Sequence, residues 1–237
     1  MTLRQLDRDL YCVDHAWSML GLHLGLRTTV VRLPEQSVVV HSPGPLTDED
    51  ARAIDALGPV SALIAPNLMH HLYLAAAHAR WPKAAIVAPA GLKKKQPSLP
   101  LAHVLTGQAS DLLPAAFAGA LEPLYLGGMP RLEEYAWHHP SSGTLIATDL
   151  AFNVRAPQPL WTRLFLRVNN GWDHFGPTRV VTALMKDRNA VHAGLTNILT
   201  RDFDRVIVAH GDVEEQGGHR ALRTSYAWLL DREPVAP

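Results

Sequence analysis

Four segments of this sequence end in side chains that can bind a metal ion or move a proton. They are His41, the adjacent pair His70 and His71, Asp149, and His210. Imidazole and carboxylate groups are common ligands of zinc and iron in proteins, and imidazole is also a frequent general base. Three such ligands leave one coordination position open, where a metal-bound water can ionise near pH ~7. These residue types therefore indicate metal-dependent chemistry.

A predicted buried strand at 60–65 positions the histidine pair. Its apolar run, VSALIA, stops at Pro66, and a helical pattern starts at the two histidines. Strands are also predicted directly before His41, Asp149 and His210. The carboxyl ends of neighbouring parallel strands meet at one edge of a sheet, so we expect the four segments to converge there.

The rest of the chain alternates between strand and helix patterns, which predicts an α/β fold with parallel or mixed pairing. Strands are predicted at 9–14, 27–33, 37–41, 84–88, 121–126 and 205–209, with a hairpin formed by 134–138 and 143–149. Helices are predicted at 47–57, 72–81, 157–170, 177–200 and 218–230. Thr47 is the expected N-cap of the first helix, and 90–100 is expected to be a surface loop.

The helix predicted at 157–170 has a strongly apolar face. At helical spacing, this face consists of Trp161, Leu164, Phe165 and Val168. We interpret the face as part of the core rather than as a membrane-inserting surface; a lid over a site is the alternative.

Composition narrows the class of protein. Lys and Arg together number 22, as do Asp and Glu, so no basic excess favours nucleic acid or an anionic membrane surface. A 47% hydrophobic and 19% charged composition predicts one globular domain over 1–237. We expect its partner to be a small-molecule substrate. The single cysteine, Cys12, excludes an intramolecular disulfide and favours a reducing compartment. No apolar run approaches the ~20 residues of a membrane span, so we expect a cytoplasmic protein.

Longer segments resemble a known superfamily. The motifs HSPGPLT, APNLMHHLYL, HHPSSGTLIATDLAFN and VIVAHGD occur in an order similar to that of the metallo-β-lactamase fold superfamily. More specifically, they resemble an uncharacterised family within it, known as a domain of unknown function. The resemblance covers most of the chain and implies a four-layer αββα sandwich, but it supplies no activity.

The superfamily's HxHxDH motif is only half present. Pro66 and Leu68 stand where its first two histidines would be, so the resemblance implies that the usual ligands of the first metal are missing. His70 stands in the place of the motif's aspartate, and His71 matches its last histidine. The resemblance therefore implies one metal ion rather than two.

Other motif positions lie further along the chain. Asp149 matches the bridging carboxylate of the superfamily, and His210 matches its final histidine. His41 stands where an aspartate usually supports the metal site, so it is either an added ligand or a support for one. The intermediate histidine has no counterpart at its expected spacing. The nearest substitutes are Glu133, Glu134 and His138.

We therefore predict one divalent metal ion, zinc or iron and less readily manganese. The predicted ligands are His71, Asp149 and His210. The candidates for a fourth ligand or a general base are His70, His41 and Glu134, of which His70 and His41 are the predicted catalytic residues. His138 is a further candidate ligand. The expected reaction is hydrolysis of a small ester, amide, thioester or phosphoester. An iron-dependent oxidoreductase on the same fold and a binding protein that has lost the metal remain open as alternatives.

Overall fold

The computed structural model describes residues 3–107 and 113–232. In chain order its strands are β1 (Arg4–Asp7), β2 (Leu10–His15), β3 (Ser18–Met19), β4 (Leu22–His23), β5 (Leu26–Arg32), β6 (Val38–His41), β7 (Val60–Ile64), β8 (Ala85–Pro89), β9 (Leu101–Leu105), β10 (Glu122–Leu126), β11 (Glu134–His139), β12 (Thr144–Ile146) and β13 (Arg205–Ile207). Its α-helices are α1 (Asp48–Asp55), α2 (Leu74–Arg80), α3 (Leu92–Lys95), α4 (Leu160–Val168), α5 (Arg179–Leu184), α6 (Arg188–Ile198), α7 (Gly218–Ser225) and α8 (Ala227–Leu230). The predicted α/β alternation is confirmed.

The described residues form two compact units. The first contains the residues up to His15 together with Leu26–Glu122. The second contains Ala16–Gly25 and the residues from Pro123 onward. The single-domain organisation stays a prediction. Among the described residues, no helix has the length and apolar composition that crossing a bilayer requires.

The first unit is built on a seven-stranded sheet in the order β1-β2-β5-β6-β7-β8-β9. Strands β1, β2, β5 and β6 pair antiparallel, whereas β6 to β9 pair parallel. Parallel neighbours need crossover connections, which α1 and α2 supply on either side of β7. The buried side chains of these helices, such as Ile54 and Leu74, share one core with Leu63 and Ile86 of the sheet.

Helix α1 begins as the sequence predicts. The Thr47 side chain accepts a hydrogen bond from the backbone N–H of Asp50, and the Asp50 carboxylate accepts one from the N–H of Thr47 at 2.9 Å. This reciprocal pair satisfies two N–H groups that the first turn would otherwise leave unpaired. The predicted N-cap is confirmed, and it fixes how the chain leaves the end of β6.

The second unit contains a four-stranded sheet in the order β10-β11-β12-β13. Strands β11 and β12 form the predicted hairpin around the 3₁₀ turn Pro140–Ser142, and β13 pairs parallel with β12. Side chains of the sheet and of the helices share one core, which includes Leu145, Val206, Leu195 and Leu222.

One loop prediction and one helix prediction need correction. The segment 90–100 is not simply a loop: it contains α3, because Leu92 is fully buried and anchors one helical turn among the lysines. Strand β9 follows it and was not predicted. The predicted helix 177–200 is two helices, because a new helix starts where the Asp187 carboxylate accepts a hydrogen bond from the N–H of Ala190 at 3.0 Å.

The prediction that the apolar face of α4 belongs to the core is wrong for three of its four residues; only Phe165 is half-buried, and it packs against the cluster that contains Leu22 and Leu166. Trp161, Leu164 and Val168 are each more than half exposed. The helix instead buries Thr162 and Leu166. The β3–β4 hairpin covers that opposite side, which leaves the apolar face in solvent.

Candidate functional site

The histidines of the first unit follow the carboxyl ends of β6 and β7. His41 is the last residue of β6 and pairs in parallel register with Ile64, the last residue of β7. The backbone N–H of Ser42 donates to the carbonyl of Ile64 at 2.9 Å. The two strand ends are thus tied together at one edge of the sheet, as the sequence predicts.

The turn that carries His70 is held by two buried or half-buried contacts. The Asn67 side-chain oxygen accepts hydrogen bonds from the N–H groups of Met69 at 2.8 Å and His70 at 2.7 Å. The Lys95 ammonium donates to the carbonyl of Leu68 at 2.5 Å. Asn67 is fully buried, so the turn has little freedom to rearrange. One lysine of the predicted surface loop therefore supports this turn directly.

Ser42 orients the ring of His70. Its hydroxyl lies 3.0 Å from Nδ1 of His70. Ser42 has a φ of +52°, a left-handed backbone conformation that residues other than glycine rarely adopt. Its carbonyl accepts a hydrogen bond from the Thr28 hydroxyl at 3.2 Å, which helps to keep this conformation.

The imidazole of His71 is buried. Only 4% of the residue is exposed, and neither ring nitrogen has a partner among the described residues. Burial lowers the pKa of His71, and the neighbouring Lys95 cation acts in the same direction. Buried polar atoms are normally satisfied, so an imidazole held neutral with both nitrogens unused fits a metal ligand.

His41 is also kept neutral. Burial lowers its pKa to about 3, and the neighbouring His70 contributes in the same direction. A group with such a low pKa does not carry a proton between pH ~6 and ~8. His41 can therefore take part through hydrogen bonds or as a neutral ligand, whereas a role as a general base near neutral pH does not suit it.

Asp149 and His210 come together in the second unit. Strands β12 and β13 pair in parallel with Ile146 opposite Ile207, and the two candidates lie three residues after these positions. Oδ1 of Asp149 is 3.8 Å from Nε2 of His210, and both side chains are buried. The predicted convergence of this pair follows directly from the strand register.

The tautomer of His210 is fixed. Its Nδ1 lies 2.8 Å from the carbonyl oxygen of Gly25, which can only accept a hydrogen bond. The neutral ring therefore carries its proton on Nδ1 and presents the lone pair of Nε2 towards Asp149. The ring of Phe152 stacks on His210 with 4.7 Å between the centroids. This packing restricts rotation of the imidazole.

Gly211 allows the chain to turn directly after His210. Its φ is +100°, and a Cβ at this position would collide with the backbone of Asn153. The N–H of Asn153 donates to the carbonyl of His210 at 3.0 Å, and its carbonyl accepts from Asp212 at 2.8 Å. The glycine of the AHG segment is therefore required by geometry.

Glu134 supports the turn of Asp149. Its carboxylate oxygen Oε1 accepts hydrogen bonds from the Thr148 hydroxyl at 2.7 Å and from the N–H groups of Thr148 and Asp149 at 3.3 and 3.2 Å. The residue is fully buried at the start of β11. Because these donors occupy Oε1, this oxygen does not bind a metal. It positions the turn of Asp149 instead.

The structure does not bring His138 to Asp149. It pairs with Leu145 in the hairpin, four residues before Asp149, and its Nε2 lies 3.0 Å from the carbonyl of Asp202. Strand β12 ends at Ile146, so Asp149 lies three residues beyond the last strand residue, whereas His138 lies beside the strand itself. His138 is thus a poor candidate for the missing intermediate histidine.

Sequence reasoning missed three supporting groups: the Ser42 hydroxyl, the Asn67 amide and the Gly25 carbonyl. The first two have a local signal in the sequence. Ser42 directly follows His41, and Asn67 lies between the predicted strand 60–65 and His70. The third has none, because Gly25 is 185 residues from His210 in the chain.

About two thirds of the chain matches a known protein family. The family model described as "Domain of unknown function (DUF4336)" matches residues 7–168, which include every predicted site residue except His210. No curated protein matches the sequence.

Solved structures with the same fold cover nearly the whole chain. A metallo-β-lactamase from Pontibacter korlensis has a TM-score of 0.66 at 15% identity, covering 98% of this chain and 99% of that chain. DIM-1 metallo-β-lactamase exposed to ceftazidime has a TM-score of 0.64 at 14% identity, with 96% of each chain covered. The FIM-1 metallo-β-lactamase from Pseudomonas aeruginosa in its mono-zinc form has a TM-score of 0.62 at 13% identity, covering 97% of this chain and 94% of that chain. The predicted α/β fold of metallo-β-lactamase type is confirmed.

Proposed function

Since this chain belongs to the family described as a domain of unknown function (DUF4336) and has the metallo-β-lactamase fold, we propose that it is a metal-dependent hydrolase. The substrate class is a small ester, amide, thioester or phosphoester. One divalent ion, zinc or iron, is the proposed cofactor. Pro66 and Leu68 offer no donor where a second metal would need histidines, which favours a mononuclear site.

The geometry of Asp149 and His210 carries this proposal. Their facing atoms are 3.8 Å apart, too far for a hydrogen bond. Two donors on one tetrahedral ion, each bound at about 2.0–2.2 Å, lie roughly 3–4 Å from each other. A carboxylate and an imidazole lone pair, both buried and held at this distance, suit neighbouring ligands of one metal.

The proposed third ligand is His71, supported by its two unused ring nitrogens. His70 is the candidate for a fourth ligand or for the base that accepts a proton from the attacking water. Because Ser42 holds Nδ1 of His70, either role falls to Nε2. His41 is proposed as a neutral support, in keeping with its low pKa.

A bound divalent ion would lower the pKa of its water to ~7, and it would polarise the scissile group of the substrate. The protein would contribute fixed imidazole tautomers and a rigid carboxylate. The Gly25 carbonyl sets the tautomer of His210, and Glu134 fixes the Asp149 turn. These contacts limit the reorganisation needed on binding.

Metal analysis of protein purified without chelator tests the proposal. We expect one metal ion per chain in the native protein and strong loss of metal in His71→Ala and in His210→Ala. His138→Ala is the matched control and should keep its metal. The proposal fails if the native protein holds no stoichiometric metal, or if both ligand variants hold as much as the native protein.

His70→Ala separates the two roles of that residue. Loss of metal identifies a ligand, whereas retained metal with lost hydrolysis of ester or thioester substrates identifies a base. Iron with a visible absorption band and no hydrolysis would point to the oxidoreductase alternative. Variants that change stability alone would point to a binding protein without a metal.

A further inference from the structure

Helix α4 turns large apolar side chains to solvent. The exposed residues are Leu160 at 72%, Trp161 at 60%, Leu164 at 52% and Val168 at 58%. At 100° per residue these four positions fall within one sector of roughly 100°. We call them the α4 apolar face. Contiguous exposed apolar surface marks an interaction site, whereas single scattered apolar residues do not.

The opposite side of α4 is already covered. The backbone N–H of His23 in the β3–β4 hairpin donates to the Thr162 hydroxyl at 3.0 Å. Leu22 of the hairpin packs in one apolar cluster with Leu166. The tip of the hairpin adds a further strongly exposed residue, Leu20, at 89%. Within the second unit, α4 therefore packs through one side only.

The chain around α4 is locally basic although the whole protein has no net charge. Residues 150–172 contain three arginines and no Asp or Glu, and of the two aspartates that flank this range Asp149 is buried and Asp173 is exposed. Arg155 pairs with Glu214 at 2.8 Å. Within 3–107 and 113–232, the guanidinium groups of Arg163 and Arg167 have neither a hydrogen-bond partner nor an ion-pair partner. Both arginines lie along one edge of the α4 apolar face at helical spacing.

We propose that the α4 apolar face binds the surface of an anionic phospholipid bilayer. Trp and Leu favour the boundary between headgroups and acyl chains, and flanking arginines favour anionic headgroups. A symmetric contact between two copies fits less well. It would bring the Arg163 and Arg167 side chains of both copies together, with no acidic residue of 150–172 to pair with them.

This surface is independent of the proposed metal chemistry, because none of its residues is a candidate ligand. Binding would hold the protein at a membrane face. It would place the second unit next to lipids or to molecules dissolved among them.

Vesicle sedimentation with the full chain tests the proposal. We expect binding to vesicles of equal parts phosphatidylserine and phosphatidylcholine, weaker binding to pure phosphatidylcholine, and weakening with added salt. Trp161→Ala should reduce the partition coefficient by about tenfold. Arg163→Gln and Arg167→Gln should each reduce it by about fivefold. All three side chains are at least partly exposed, so the variants should fold.

The controls are Leu72→Ala, at an exposed leucine of the first unit, and Arg52→Gln, at an exposed arginine of α1. Both should bind vesicles as the native protein does. The proposal is overturned if the native protein does not sediment with the anionic vesicles, or if the controls lose as much binding as the α4 variants. A concentration-dependent dimer that Trp161→Ala abolishes, without vesicle binding, would assign the face to a second copy instead.

Discussion

The hydroxyl of Ser42 lies 3.0 Å from Nδ1 of His70, and Ser42 holds this position with a left-handed backbone at φ +52°. Such a conformation costs a residue with a side chain about 1–2 kcal/mol. Its N–H and carbonyl are bound to Ile64 and Thr28, so the strained backbone is fixed from both sides. Strain that surrounding structure maintains at a strand end suggests that the direction of the hydroxyl matters for His70.

Replacing Ser42 should therefore separate metal binding from stability. Ser42→Ala removes the hydroxyl and keeps the strain, and we expect metal affinity to fall by about tenfold because His70 loses its orienting partner. Ser42→Gly removes both, so its affinity should be equally low while its free energy of unfolding exceeds that of Ser42→Ala by about 1 kcal/mol. Chelator competition and urea denaturation measure the two quantities.

The two variants distinguish the effect of the Ser42 hydroxyl from that of the backbone conformation. If Ser42→Ala binds metal as tightly as the native protein, Ser42 does not position a ligand. If Ser42→Gly regains the native affinity, the backbone conformation matters and the hydroxyl does not.

His41 should make stability depend on pH. Its pKa is about 3 in the native protein, whereas an unfolded histidine titrates near ~6.5. Between these values the unfolded chain binds a proton that the native protein does not, so stability falls as the pH falls. The free energy of unfolding of metal-free protein should drop by about 1.4 kcal/mol per pH unit more than that of His41→Gln between pH ~6 and ~4.

Urea denaturation at a series of pH values measures this slope. His71 and His15 also have lowered pKa values and contribute to it in both proteins. His23→Gln, at an exposed histidine of the hairpin, is the control for the loss of an imidazole side chain. A His41→Gln slope equal to the native one would show that His41 is protonated, or exposed, in the native protein.

The strand ends that carry the candidates were predictable, and the contacts that orient them were largely not. The apolar runs before His41 and His70 stop at residues that end strands, and Thr47 caps the following helix by a local rule. The bond between His210 and Gly25 joins residues 185 positions apart, and no periodicity encodes it.

Helix α4 shows a second limit of sequence reasoning. Helical spacing correctly groups Trp161, Leu164 and Val168 on one side. It does not reveal which side the rest of the protein covers. The β3–β4 hairpin covers Thr162 and Leu166 instead, so the most apolar face is the exposed one.

Glu134 should prove important for stability and, through Asp149, for metal binding. Glu134→Ala leaves the N–H groups of Thr148 and Asp149 buried without their acceptor, which should cost about 3 kcal/mol in the free energy of unfolding. Glu134→Gln keeps a carbonyl oxygen to accept these bonds and should cost less than half as much. Urea denaturation gives the free energies, and chelator competition gives the metal affinity.

A matched surface change controls for loss of a carboxylate. Glu49→Ala, in the exposed first turn of α1, should change stability by no more than about 0.5 kcal/mol. If Glu134→Ala were as mild as Glu49→Ala, the three hydrogen bonds of Glu134 would not hold the Asp149 turn. If Glu134→Gln lost all metal yet stayed stable, Glu134 would itself be a ligand.

Gly211→Ala should be far more costly than a conformational penalty alone. Gly21 has a similar positive φ of +77° with open space around its missing Cβ, so Gly21→Ala measures the cost of the conformation, about 1 kcal/mol. At Gly211 the new Cβ also meets the backbone of Asn153, which must move together with His210. We expect a total loss of about 3–5 kcal/mol and reduced metal content. Thermal and urea unfolding of both variants compare the costs; equal penalties would mean that the Asn153 backbone yields freely and that His210 is not held by this contact.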